Sequence, residues 1–156
     1  MAEGIDVSGS IRDSAGMRRI VSGEDVWTGR LFGMRTETVD LGNGGSPVVR
    51  EFMDHPGAVA IVALDGEGRV CLIRQYRHPV RATLWEIPAG LLDSPDEPLF
   101  EVGRRELAEE VDLGARRWDV LADFYASSGC TNERVRVYLA RDLFESEAAG
   151  FVREDE

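Results

Sequence analysis

Apolar positions along this chain fall into short runs separated by turn-forming residues, with one longer stretch of helical spacing near the middle. The runs "GRLFGMRTETVDL" and "PVVREFM" flank the glycine-rich "GNGGS" and predict a β-hairpin, which makes residues 17–53 an N-terminal hairpin subdomain. Residues 1–16, rich in Gly, Ser and Asp, read as a flexible leader. "AVAIVAL", the turn "DGEG" and "RVCLIRQY" predict a second hairpin, and the nearly continuous apolar run of its first strand marks a central strand covered on both faces. Two further strands follow later, "RWDVLADFY" and "RVRVYLA", joined by the loop "ASSGCTNE".

Between these strand patterns, "LWEIPAGLLDSPDEP" reads as a short strand and a long proline-punctuated loop leading into a helix. The helix is predicted to open near Glu97 and Pro98 and to close around Asp112 and Gly114. Phe100, Gly103, Leu107 and Val111 form its apolar face, from which Leu99 and Val102 depart, and Glu106, Glu109 and Glu110 crowd the other side. Strands bracketing one strong helix predict an α/β fold with a mixed sheet.

Glutamates at i and i+4 repel one another by a few tenths of a kcal/mol when nothing positive lies between them. Such a face is most often only solvated surface. Here, however, the loop "IPAGLL" brings an uncovered backbone carbonyl and a glycine directly before the acidic helix. Hard oxygen donors of this kind suit magnesium or manganese rather than zinc.

Composition narrows the chemistry further. The chain has 156 residues, the length of one domain, with 29 acidic against 18 basic residues and a net charge of −11. That balance argues against a nucleic-acid binder and against an anionic membrane surface, and an anionic substrate would need a cation to approach it. Two cysteines, Cys71 and Cys130, are too few for a disulfide framework or a zinc site and read as reduced thiols. With no membrane-length apolar run and no signal-peptide pattern at the start, the expected location is cytoplasmic.

The segment "AGLLDSPDEPLFEVGRRELAEEVDL" resembles the signature of the Nudix hydrolases, with Gly90, Glu97, Arg105, Glu106, Leu107, Glu109, Glu110 and Leu113 at matching positions. It departs from the signature twice: six residues rather than five separate Gly90 from Glu97, and Asp112 stands where the pattern has glycine, leaving Gly114 to serve the helix exit. "HPGAVAIVAL", "IRQYRHPV", "LWEIPAGLLD" and "VRVYLA" extend the similarity to the ADP-ribose pyrophosphatase branch of that superfamily. The resemblance implies an α/β/α sandwich with a mixed sheet, preceded by the N-terminal hairpin, and a catalytic domain over residues 54–156 whose C-terminal part is short or truncated. It also implies magnesium-dependent hydrolysis of ADP-ribose to AMP and ribose 5-phosphate. The alternatives are another nucleoside diphosphate sugar, such as GDP-mannose, or a non-catalytic module that senses ADP-ribose.

Carried onto this sequence, the resemblance makes Glu106, Glu110 and the Ala89 carbonyl metal ligands and Glu109 a further ligand or outer partner, while Glu97 and Arg105 brace loop against helix. Arg77 is a candidate for the diphosphate or adenosine, or else an ordinary edge-strand arginine. Arg50 and Glu51 either reach substrate, in such families often at a dimer partner's site, or form a cross-strand pair. Glu86, Gly129 and Glu133 complete the substrate candidates, Glu133 matching an acid that ends the corresponding loop. Trp85 is expected in the core, and His55 and His78, beside prolines, as turn residues. The general base is expected at Glu154 or Glu156, which otherwise belong to an acidic tail. The hairpin subdomain is expected to build a homodimer, because a two-stranded hairpin is marginal alone.

Overall fold

The computed structural model describes residues 13–14, 16–92, 94 and 96–146. Three antiparallel strands open it: β1 (Arg19–Thr28), β2 (Gly33–Asp40) and β3 (Val48–Asp54), in the order β1-β2-β3. β2 and β3 are the hairpin read from the sequence. Their connection bends where Gly42 and Gly44 take φ of 72° and 77°, and Asp40 and Asn43 accept the backbone N–H groups of Gly42 and Gly45. β1 is an addition to that reading. Its "RIVSGEDVWT" interrupts apolar residues with Gly, Glu and Asp, and all ten residues are exposed, so no alternation between a buried and a wet face marks it as a strand.

The remainder is built on a four-stranded mixed sheet in the order β7-β4-β9-β8, formed by β4 (Ala58–Ala63), β7 (Ala89–Leu91), β8 (Leu113–Tyr125) and β9 (Arg134–Glu145). β4 and β9 run parallel; β4–β7 and β8–β9 are antiparallel. Val59, Ile61 and Ala63 of β4 pack with Tyr138 and Ala140 of β9 beneath Val102 and Leu107 of the helix α1 (Leu99–Val111). On the other face Ala60, Val135 and Val137 form a smaller cluster with Ile87 and Ala89. β4 is therefore central and covered on both sides, as its apolar run implied. The second helical layer of a sandwich has no counterpart among the described residues.

Four local expectations are corrected. The hairpin at "DGEG" closes only at its first rung, where Leu64 bridges Val70 and the Cys71 N–H reaches the Ala63 carbonyl at 2.9 Å. The chain then leaves, and β5 (Ile73–Arg77) pairs with β6 (Ala82–Glu86) through a 3-10 turn at His78–Val80. Trp85, expected in the core, is 68% exposed on the outer face of that ribbon, with the Arg74 guanidinium over its ring. A two-stranded ribbon has only one face to bury, and Trp85 is on the other.

The helix is rotated from the predicted wheel. Val102, Gly103 and Leu107 are its buried residues, whereas Phe100 is 38% exposed and meets Trp118 and Tyr138 edge-on at 5.5 and 6.0 Å. Gly103 lets the Tyr138 ring lie against the helix backbone; an added Cβ would stand 3.3 Å from Tyr138 Cδ2. The helix starts at Leu99 with Pro98 as its cap and ends in Asp112, which takes the left-handed conformation itself (φ 54°, ψ 34°). Gly114 is not the exit: it lies in β8, where the Phe144 ring occupies the space a side chain would need.

Asp112 thus sits in a backbone region that glycine enters freely, with a negative charge at the negative end of the helix. Both effects disfavour it. Asp112→Gly is expected to raise unfolding free energy by about 1 kcal/mol in urea titrations; a variant less stable than the parent would mean that the Asp112 side chain contributes more than the strain costs.

Candidate active site

The acidic side of α1 lies against β7, and the sheet fixes that approach. Ala89 and Gly90 pair with Ala60 and Val59 of the central strand, so the β7 backbone is anchored to the core. The Ala89 N–H donates to Glu110 Oε2 at 2.9 Å, and the Glu106 carboxylate fills the space where a Cβ on Gly90 would be. Any other residue at position 90 would push Glu106 away. Consecutive backbone units of one strand therefore seat two carboxylates one helical turn apart.

Arg105 supplies positive charge to this face. Its Nη1 lies 2.8 Å from Glu106 Oε1 and 3.0 Å from Glu109 Oε2, and Nη2 lies 3.3 Å from Glu97 Oε2. Burial opposes the arginine's charge, but Glu97, Glu106 and Glu109 together outweigh that and hold the guanidinium above its ordinary pKa. Arg105 and Glu97 thereby join the loop to the helix, and Glu109 is engaged by Arg105.

Glu110 is the most strained electrostatically. Burial, opposed by the Ala89 N–H and reinforced by the charge of Glu106, pushes its carboxyl up to about 7. From the β5–β6 ribbon, Arg77 and Glu86 act on it with opposite signs, the arginine lowering and the glutamate raising its carboxyl. There Arg77 binds Glu86 in a fork, Nε to Oε1 at 3.0 Å and Nη2 to Oε2 at 2.7 Å, and this holds the Glu86 carboxyl below its usual range.

The donor set fits a hard divalent cation. The donors are oxygens, one carboxylate is destabilised by burial beside another, and the glycine lets the second carboxylate in against the backbone. Among the described residues no three His, Cys, Asp or Glu side chains already form a metal-binding group. A cation there would depend on backbone or substrate oxygens for further ligands.

Other predicted residues gather elsewhere. Arg50, Glu51 and Gly129 line one cleft of about 350 Å³ between β3 and the loop after β8, together with Phe52, Tyr125 and Asn132. Asn132, which the sequence reading passed over, ties the two parts: its Oδ1 accepts the His55 N–H at 2.8 Å and its Nδ2 donates to Asp54. The only signal for it was an asparagine in a loop. This cleft shares no residue with the carboxylate cluster. Glu133 is outside it, its N–H bonded to Thr131 Oγ1 and its carbonyl to the Ala126 N–H. His55 and His78 are structural: His55 Nδ1 accepts the Gly57 N–H, and His78 Nδ1 pairs with the Tyr76 hydroxyl. Glu154 and Glu156 lie outside the described residues.

The family model described as NUDIX domain matches residues 54–156. An ADP-ribose pyrophosphatase of Mycobacterium tuberculosis (strain ATCC 25618 / H37Rv) is 47% identical over 125 residues, covering 80% of this chain and 60% of the relative. One of Bacillus subtilis (strain 168) is 36% identical over 138 residues, covering 88% of this chain and 74% of the relative. A solved structure titled an ADP compounds hydrolase superposes with a TM-score of 0.74 at 27% identity, covering 93% of this chain and 77% of the other. The chain thus spans about 60% of the length of the mycobacterial relative.

Glu110 also sets a pH dependence in metal-free protein. Because its folded-state pKa, about 7, lies above the unfolded 4.5, its contribution to stability is fully present below pH 4.5 and is lost as pH rises through 7. A decline on the order of 2 kcal/mol is expected across that window in the presence of chelator, less than the full shift implies because the carboxyl is only partly buried. Glu110→Gln should flatten it; an equal decline in that variant would assign the proton to another group.

Proposed function

Given that the chain belongs to the NUDIX domain family, we propose that it hydrolyses the diphosphate of ADP-ribose to AMP and ribose 5-phosphate with magnesium, or manganese in its place. The observation that carries this reading is the seating of Glu106 and Glu110 against Gly90 and Ala89, in a chain 47% identical to a mycobacterial ADP-ribose pyrophosphatase. Glu106, Glu110 and the Ala89 carbonyl would hold the metal, with Glu109 as a further or outer ligand. A divalent ion held by these residues would supply positive charge against the charge developing on phosphate oxygens.

The chain's own residues do the rest. Arg77 exchanges Glu86 for a phosphate oxygen, since its fork suits either partner. Water bonds to one phosphorus, the bridging oxygen leaves with the other phosphate, and a base accepts the proton. We assign the base to Glu154 or Glu156, with Glu133 the next candidate. A sensing module without catalysis is disfavoured by the presence of every signature carboxylate, and another nucleoside diphosphate sugar remains the competing substrate.

A panel of nucleoside diphosphate sugars, with magnesium and AMP release scored, tests the reading directly. ADP-ribose is expected to be the best substrate, and Glu106→Gln and Glu110→Gln each to lose at least about 100-fold in turnover, as should Gln at whichever tail glutamate is the base. Activity of both helix variants within about threefold of the parent would overturn the metal assignment.

Residues 17–53 are proposed to dimerise and 54–156 to form the catalytic domain. None of β1, β2 or β3 contains a buried residue, and Val26, Trp27 and Val49 are 63%, 51% and 59% exposed. The cleft of Arg50, Glu51 and Gly129 would then serve the partner's site. Light scattering should return the mass of two chains at micromolar concentration, and a monomer there would refute the dimer. Two free cysteines, and no helix long and apolar enough to cross a membrane among the described residues, support a cytoplasmic setting.

A further inference from the structure

Among the described residues, three buried side-chain polar atoms lack a hydrogen-bond partner in the protein: Arg35 Nε, Arg141 Nε and Gln75 Oε1. The two arginines are not true orphans. Arg35 Nε forms an ion pair with Asp25 Oδ1 at 3.1 Å, and Arg141 binds Asp119 through Nη2. Gln75 has no such compensation. Its amide oxygen is shielded from solvent, yet no N–H or O–H of the described residues donates to it.

Its position gives this weight. β5 and β6 pair with Ile73 opposite Glu86, Gln75 opposite Leu84 and Arg77 opposite Ala82, so these six share one face of the ribbon. Arg77 reaches diagonally across the Gln75–Leu84 pair to bind Glu86. Gln75 therefore lies on the same face of the ribbon as this ion pair, whose charges reach Glu110. An amide oxygen left without a donor in such a place destabilises the free protein. The cost is recovered when a ligand brings a donor.

We propose that Gln75 is a specificity-determining residue whose amide oxygen accepts a hydrogen bond from a sugar hydroxyl adjoining the substrate's diphosphate. The proposal rests on the substrate class given above. Arg77 fixes where the diphosphate lies, and the donor chemically nearest a diphosphate in a nucleoside diphosphate sugar is a ribose hydroxyl. Phosphate oxygens only accept, so they cannot satisfy Gln75.

The test is Gln75→Met, which keeps the length of the side chain and removes the acceptor. Its thermal midpoint without ligand should equal or exceed the parent's, because an unpaired buried oxygen is gone. KM for ADP-ribose should rise about tenfold with kcat changed less than threefold. On an analogue lacking the hydroxyl that is read, parent and variant should perform alike, and Gln75→Glu, which keeps an acceptor, should restore part of the discrimination between the two substrates. If KM is unchanged, or the variant loses equally on both substrates, or the midpoint falls while kinetics are untouched, Gln75 is structural or bound to water and the proposal fails. Should the parent prefer another nucleoside diphosphate sugar, the ADP-ribose reading fails, and the same comparison on that sugar and its deoxy analogue still judges Gln75.

Discussion

The structure depends on confining like charge: two glutamates one turn apart on α1 are pressed against the backbone of β7. Such a pair on a free helix would swing apart into water. Here Glu110 is tied to the Ala89 N–H and Glu106 occupies the space that Gly90 leaves, so neither can relax without lifting the helix from the sheet. The sheet does not yield, because Val59 and Ala60, the partners of Gly90 and Ala89, belong to the core strand that also packs under Val102. Burial of Val59 and Val102 thus holds the carboxylates together.

Two devices bear the resulting charge. Arg105 spans Glu97, Glu106 and Glu109, and so counters the helix while tying the loop before it. Protonation relieves Glu110, whose carboxyl titrates near 7 where burial and Glu106 combine. A divalent cation held there, as proposed, would compete with the proton for that oxygen and link metal affinity to pH at one atom.

What the sequence made legible follows from how locally each feature is encoded. The acidic helix, the loop before it and the central strand were readable because their signals lie within a few residues. β1 was not, since an exposed strand lacks a buried face and its chain carries no alternation. The fate of β5 was hidden for a different reason: the turn "DGEG" does form, but pairing beyond its first rung is decided by competition with β6. Trp85 and Phe100 were misplaced because large apolar residues were assigned inward, whereas ribbon register and helix rotation put Trp85 outside and Phe100 at the rim. At Asp112, the departure from glycine marked the right position, but the backbone keeps its left-handed turn and tolerates the wrong residue.

Arg77 and Glu86, read separately as substrate contacts, are bound to one another. This changes what each can contribute. A phosphate must compete with a forked carboxylate for Arg77, so much of the arginine's intrinsic affinity is offset by the pair it gives up. Releasing Glu86 would also add an uncompensated negative charge near Glu110, which already disfavours its own ionisation. On the proposed reading the exchange would be unfavourable for an anion arriving alone and favourable when a cation accompanies it, because the cation would stabilise Glu110 and tolerate Glu86 as well. In a chain of net charge −11, that coupling would give the proposed site a reason to favour a metal-bound diphosphate over a free one.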